Sequence, residues 1–232
     1  MRRAVIVAAL ATPLLAACGS NSSAGGQTPS SSAVATKAVS TLAAVPSGHT
    51  CAWTPTGDAA KPVLPPPTSV GTAAHTATIS TTAGTITIQL TAAATPCTVA
   101  SFMSLAMQGF YNGTHCHRLG DTPGFQFLQC GDPTGTGAGG PGYSFSDELT
   151  GKEKYPAGTV AMANSGPNTD GSQFFLVFGD SGFQANYTVF GHMDAASIKV
   201  LQAVGAKGND GSGGDGSGQP NKPVVFNSIT FS

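Results

Sequence analysis

The sequence predicts a mostly β domain carrying two α-helices, on three observations. Short runs rich in Val, Ile, Phe and Thr recur through the chain between clusters of Gly, Asn, Asp and Pro, the composition of strands joined by turns. In the first of these runs Ile86, Ile88 and Leu90 alternate with period two, which places them on one face of a strand. Two stretches instead space apolar residues as a helix does: Val99, Phe102, Met103 and Ala106, then Ile198, Leu201 and Val204.

The chain of 232 residues has room for one domain plus extensions. Arg2-Arg3 precede an apolar run from Ala4 to Leu15 that is shorter than the ~20 residues a membrane span needs. It reads as the core of a signal peptide, residues 1–17. The run closes in Leu15-Ala16-Ala17-Cys18, which resembles a bacterial lipobox and implies a lipidated thiol at Cys18. The alternative is an ordinary signal peptide cut after Ala17. Residues 18–48 are mainly Ser, Gly, Ala and Thr, too little apolar surface to offset chain entropy, and read as a flexible tether. Residues 49–74 form a Pro-rich arm with Cys51 and the single Trp, Trp53. Its Pro65-Pro66-Pro67 favours extended polyproline II.

The folded domain is expected over residues 75–232, opening with a hairpin of residues 77–80 and 85–90 around Thr82-Ala83-Gly84. Thr95 reads as an N-cap, Pro96 as the first helical residue, and Gly109 as the stop. Further strands are predicted near residues 115–119, 125–130, 159–163, 174–178 and 188–192. Asp194 reads as the cap of the second helix, and residues 224–231 as a final strand. The run from Gly208 to Gly218, with Asp210 and Asp215, reads as a flexible loop in preference to a calcium site.

From Gly158 to Phe178 the chain reads GTVAMANSGPNTDGSQFFLVF, which resembles the signature of cyclophilins, the peptidyl-prolyl isomerases. His117-Arg118, followed by Phe125, Phe127 and Gln129-Cys130-Gly131-Asp132-Pro133, resembles the family's second signature. Tyr187-Thr188-Val189-Phe190-Gly191 resembles the third. The resemblance covers roughly residues 77–231 and implies a closed eight-stranded antiparallel barrel capped by two α-helices. It implies prolyl isomerisation with no metal and no cofactor, since bond rotation needs neither. Arg118 is then the catalytic cation, with Gln129 and Phe175 beside it. Phe125, Phe127, Ala163, Asn164, Gln173, Phe183 and Tyr187 are the implied substrate contacts. Gly135-Thr136-Gly137-Ala138-Gly139-Gly140 would rim a neighbouring subsite. The interval from Arg118 to Gln129 is longer than the family pattern, which leaves Phe125 and Phe127 as alternative pocket walls. Tyr187 stands where many relatives carry His, and the family's Trp position falls near Gly182-Phe183.

Charged residues are only 9% and the net charge is −1, which gives no basis for nucleic-acid binding. Thr72-Ala73-Ala74-His75 and Gly179-Asp180-Ser181-Gly182 imitate serine-protease motifs, but too little chain precedes His75 to build the barrel that would hold it. His115-Cys116-His117 with Cys130 falls short of the four ligands of a closed metal site. Apart from Cys18, the four thiols Cys51, Cys97, Cys116 and Cys130 fit two disulfides with three connectivities, or free buried thiols. Cys116 with Cys130 is favoured because their strands should pair, leaving Cys51 with Cys97 to staple the arm. The expected protein is a monomeric, extracytoplasmic isomerase, lipid-anchored to the cell membrane, that acts on proline-containing segments of unfolded or exported proteins. The alternative is a largely non-catalytic peptide-binding module on the same frame.

Overall fold

The structure is a computed structural model that describes residues 48–232. The signal segment, Cys18 and nearly all of the tether lie outside the described residues. In chain order the elements begin with β1 (His49–Thr50), β2 (Thr54–Pro55), β3 (Ser69–Val70), β4 (His75–Thr81), β5 (Gly84–Leu90) and α1 (Pro96–Met107). There follow β6 (Arg118–Thr122), β7 (Phe125–Cys130), β8 (Tyr143–Ser144), β9 (Thr159–Met162), β10 (Phe174–Val177) and β11 (Val189–Met193). The chain closes with α2 (Ala195–Gly205), β12 (Ser217–Gly218) and β13 (Phe226–Phe231).

Nine strands form one curled antiparallel sheet in the order β12-β6-β7-β10-β9-β11-β5-β4-β13. This corrects the expectation of a closed eight-stranded barrel. The sheet stays open because β12 occupies the outer edge of β6, pairing Ser217 with Gly120 and Gly218 with Leu119. The other edge strand, β13, therefore meets only the chain before β6. His115 forms an isolated bridge with Val225, and the Cys116 N–H donates to the Val224 carbonyl at 2.9 Å. Pro220 and Pro223, just before that contact, have no N–H with which to extend a ladder.

Strands β9 and β10 are buried on both faces, which is why, Thr159 apart, their sequences are apolar throughout. One face of β10 sends Phe174 and Leu176 into the main core; the other sends Phe175 and Val177 into a second, smaller cluster. Phe102 of α1 is the hub of the main core, with its ring 5.4 Å from those of Phe174 and Phe190 and 5.5 Å from Tyr111. Phe102 and Phe174 are thus structural. On α2, Leu201 and Val204 are fully buried and Ile198 is half-buried.

The two helices are capped differently. Asp194 accepts the Ser197 N–H at 2.7 Å, as its position predicts. Thr95 holds the N-cap position of α1, but its side chain makes no cap bond. The Glu148 carboxylate takes that role from a distant loop, accepting the N–H groups of Cys97 (3.0 Å) and Thr98 (2.8 Å). A carboxylate suits the positive end of the helix dipole.

Disulfides join Cys51 to Cys97 and Cys116 to Cys130, so the thiols of the possible metal cluster are consumed. The Pro-rich arm lies on the domain. β1 pairs with β3, and β2 pairs with β8. Trp53 packs edge-on against Tyr143 and Phe145 at 5.6 and 5.4 Å. The Lys61 ammonium donates to the carbonyls of Phe110 (3.0 Å) and Asn112 (2.6 Å).

Candidate active site

The β6–β7 hairpin turns through Pro123-Gly124 and registers Arg118 opposite Gln129, and Gly120 opposite Phe127. Alternation then puts Phe125, Phe127 and Gln129 on one face of β7. Phe127 is one same-face step from Gln129 and directly beside Arg118. The guanidinium carbon lies 5.2 Å from the Phe127 ring centre. Gly120 leaves the room for this arrangement, since a Cβ there would fall 2.5 Å from the Phe127 ring. Across the next strand pair, Phe175 of β10 is the register partner of Gln129.

These side chains enclose a cavity of about 100 Å³ lined by Arg118, Phe127, Gln129, Ala163, Asn164, Phe175, Phe183 and Tyr187. Its walls are aromatic and interlocked. Phe175 lies 5.3 Å from both Phe183 and Tyr187, and Phe127 lies 5.5 Å from Phe183. Tyr155, fully buried behind them, fixes the Tyr187 backbone twice: its hydroxyl donates to the Tyr187 carbonyl and accepts the Tyr187 N–H, each at 3.0 Å. A small cavity walled by Phe127, Phe175, Phe183 and Tyr187 and lined also by Arg118, Gln129 and Asn164 suits a small ring carrying a polar amide.

The model of the family described as cyclophilin type peptidyl-prolyl cis-trans isomerase/CLD matches residues 76–230. The chain belongs to that family. A relative from Mycobacterium leprae, a probable peptidyl-prolyl cis-trans isomerase B, is 46% identical over 200 residues, covering 78% of this chain and 66% of its own. The Mycobacterium tuberculosis counterpart is 43% identical, and 64% of its length is covered. The chain thus spans just under two thirds of these relatives. The peptidyl-prolyl cis-trans isomerase A of M. tuberculosis is 40% identical, with 69% of this chain and 93% of that one covered. Among solved structures, a Cryptosporidium parvum cyclophilin-type isomerase superposes with a TM-score of 0.59 at 29% identity, covering 69% of this chain and 98% of that one.

In this cyclophilin domain the guanidinium carbon lies 5.9 Å from the Phe125 ring centre, against 5.2 Å for Phe127. Phe125 does not line the small cavity; its ring backs Phe127 at 4.9 Å and Phe183 at 5.6 Å. Gln173 is also absent from that lining. It belongs to a second cavity of about 340 Å³, shared with Gln129, Ala163 and Asn164, rimmed by Gly137, Ala138, Gly139 and Gly140, and reached by Thr56 of the arm. The two amides form a relay. Gln129 accepts from Arg118 at 3.4 Å and donates to Gln173 at 2.9 Å, and Gln173 donates to the carbonyls of Gly137 and Gly139. The glycine loop is itself wound around Asp132, whose carboxylate accepts the N–H groups of Thr134, Thr136, Gly137 and Gly139. Burial raises the pKa of Asp132, but the Thr134 hydroxyl and then the N–H groups of Gly139, Thr134 and Gly137 outweigh it and hold the carboxyl below its ordinary range.

Ala163 and Asn164 reach the site, but the Ala163 N–H is taken by the Gln173 carbonyl at 2.9 Å. The Asn164 amide donates to the Asn186 carbonyl at 2.9 Å. Next to Arg118, burial pushes the His117 imidazole below its usual range, so it adds no second cation near neutral pH. Three contributors were not found from the sequence. Tyr155 carries no local motif. Asp215 and Ser217 come from the glycine run read as a flexible loop. Arg118 forms an ion pair with Asp215 at 2.5 Å and donates from Nε to the Ser217 hydroxyl at 2.8 Å.

Proposed function

We propose that this chain catalyses cis–trans isomerisation of X–Pro bonds, with Arg118 stabilising the twisted amide over an apolar proline slot. The observation that carries the reading is the Arg118 guanidinium at the mouth of the cavity walled by Phe127, Phe175 and Phe183. The X–Pro barrier, about 18–20 kcal/mol, is amide resonance. Rotation breaks that conjugation and leaves a lone pair on the proline nitrogen. A fixed cation aimed there stabilises the twisted state more than either planar one. A 10⁴-fold acceleration, which would bring exchange from about 100 s toward the millisecond range, requires roughly 5.5 kcal/mol. Gln129 accepts a hydrogen bond from the guanidinium, which is 37% exposed, so its charge acts at short range and is partly screened by solvent. A related Cryptosporidium parvum isomerase was crystallised in the presence of the dipeptide Ala-Pro, with a TM-score of 0.56 at 28% identity. The test is a proline-switch assay on a short Ala-Pro peptide. Acceleration that scales with protein concentration is expected; binding of the peptide without acceleration would favour the non-catalytic module.

The substrates we propose are proline-containing segments of exported proteins, met outside the cytoplasm at a membrane to which Cys18 tethers the domain. The support is the Leu15-Ala16-Ala17-Cys18 motif and the tether composition. Two or three acyl chains at about 0.8 kcal/mol per buried CH₂ hold firmly, whereas one holds reversibly. Cys18→Ala is expected to move the protein from the membrane to the soluble fraction with its isomerase activity intact. Membrane association that persists in this variant would refute the anchor.

A further inference from the structure

The glycine-rich segment after α2 is a built turn. The Asp210 N–H donates to the Gln219 carbonyl at 3.0 Å, and Asp210 Oδ1 accepts the N–H groups of Ser212 and Gln219 at 3.0 and 2.8 Å. Asn209 Oδ1 accepts the Gly211 N–H at 2.8 Å. Glycine is needed where the chain doubles back: a Cβ at Gly218 would fall 2.3 Å from Asp210 Oδ1, and one at Gly213 would fall 2.6 Å from the Ser217 hydroxyl. The turn ends in β12, which is bonded along β6 two residues from Arg118. It delivers one carboxylate and one fully buried hydroxyl to that residue.

We infer that Asp215 and Ser217 are positioning residues that fix the Arg118 guanidinium for catalysis. This inference rests on the isomerase reading above. An arginine fork has five N–H donors. Three are committed: Nε–H to Ser217 Oγ (2.8 Å), one Nη2–H to Asp215 Oδ2 (2.5 Å) and one Nη1–H to Gln129 (3.4 Å). One donor on each terminal nitrogen is left for a substrate. The Phe127 ring restrains the guanidinium from one face, and the turn and Gln129 fix its rotation within the plane. Asp215 is itself pinned, because its Oδ1 accepts the Ser217 N–H at 3.1 Å and the Ser217 hydroxyl at 2.5 Å. Without this cradle a long side chain must find its catalytic orientation at every turnover. That loss falls on the transition state, since the aromatic walls bind the ground state without it.

The experiment measures kcat and KM for the wild type, Asp215→Ala and Ser217→Ala, each also in an Arg118→Ala background. Asp215→Ala is expected to lower kcat by about three- to tenfold with KM within about twofold, because misplacement of a catalytic group by even 1 Å can cost up to about 10²-fold. Its effect should vanish in the Arg118→Ala background, as a residue acting through Arg118 requires. Asp215→Asn keeps a hydrogen-bond acceptor for the guanidinium and should lose less kcat than Asp215→Ala. Should Ser217→Ala misfold, the two Asp215 variants still decide. Wild-type kcat in Asp215→Ala, a raised KM with unchanged kcat, or an equal proportional loss in the Arg118→Ala background would each overturn the inference. A wild type inactive toward the peptide would instead overturn the isomerase reading.

Discussion

Asp170→Asn is expected to stabilise the domain by about 1–4 kcal/mol at pH 7 and to flatten its stability between pH 4 and 8. Asp170 sits in the loop before β10, fully buried, and its Oδ1 has no hydrogen-bond partner. Burial, then repulsion from Asp147, pushes the carboxyl up to about 8. Its other oxygen accepts the Thr188 hydroxyl at 3.0 Å. The sign follows from proton counts. Between the ordinary value of 3.8 and about 8 the folded state holds a proton that the unfolded state has released. Stability therefore falls as pH rises through that window. Three units at about 1.4 kcal/mol each set the ceiling near 4 kcal/mol at pH 7. Asn keeps an acceptor for Thr188, offers an N–H toward Asp147, and has no charge to desolvate. Urea unfolding at pH 5, 7 and 8.5 checks this. A variant less stable than wild type at pH 7, or one with an unchanged pH slope, would sink the account.

Local chemistry was legible in the sequence where one segment supplies the whole signal. The Phe174-Phe175-Leu176-Val177 run was readable as a strand, and Asp194 as a cap, because each acts within a few residues. The slot with a cation beside it was expected only from the resemblance of the Arg118 motif to cyclophilins; by themselves, aromatic residues on strands read as core. What was not legible depends on contacts across the fold. Phe125 and Phe127 lie on the same face of β7, so alternation alone could not tell that only Phe127 lines the small cavity. Thr95 has good capping chemistry, yet Glu148, 50 residues away from Thr98, supplies the stronger charge-assisted acceptor. The closed barrel fails for a similar reason. A two-residue strand hidden in a glycine run takes the edge of β6 that closure would need. Asp215 was invisible because its partner lies 97 residues earlier.

Arg118→Ala is expected to lower kcat/KM by at least tenfold, at a cost in stability within about 1 kcal/mol. The two outcomes separate because the side chain is poorly placed to stabilise the fold. Arg118 and Asp215 are 37% and 50% exposed, and ion pairs in such settings contribute little. Ser217 keeps its bonds to Asp215 when the guanidinium is gone, so the turn should persist. The loss falls on the twisted amide, which then meets the aromatic walls and the neutral Gln129 and Asn164 amides but no cation. Tenfold corresponds to about 1.4 kcal/mol of transition-state stabilisation, a modest share of what a millisecond turnover demands. KM should move less, because Phe127, Phe175 and Phe183 still receive the proline ring. Arg118→Lys gives a graded control. It keeps the charge but lacks the planar fork that Ser217, Asp215 and Gln129 engage together, so its activity should lie between those of wild type and Arg118→Ala. Peptide isomerisation kinetics and urea unfolding on the same preparations decide the matter. Full activity in Arg118→Ala, or a variant that fails to fold, would remove Arg118 from the chemistry.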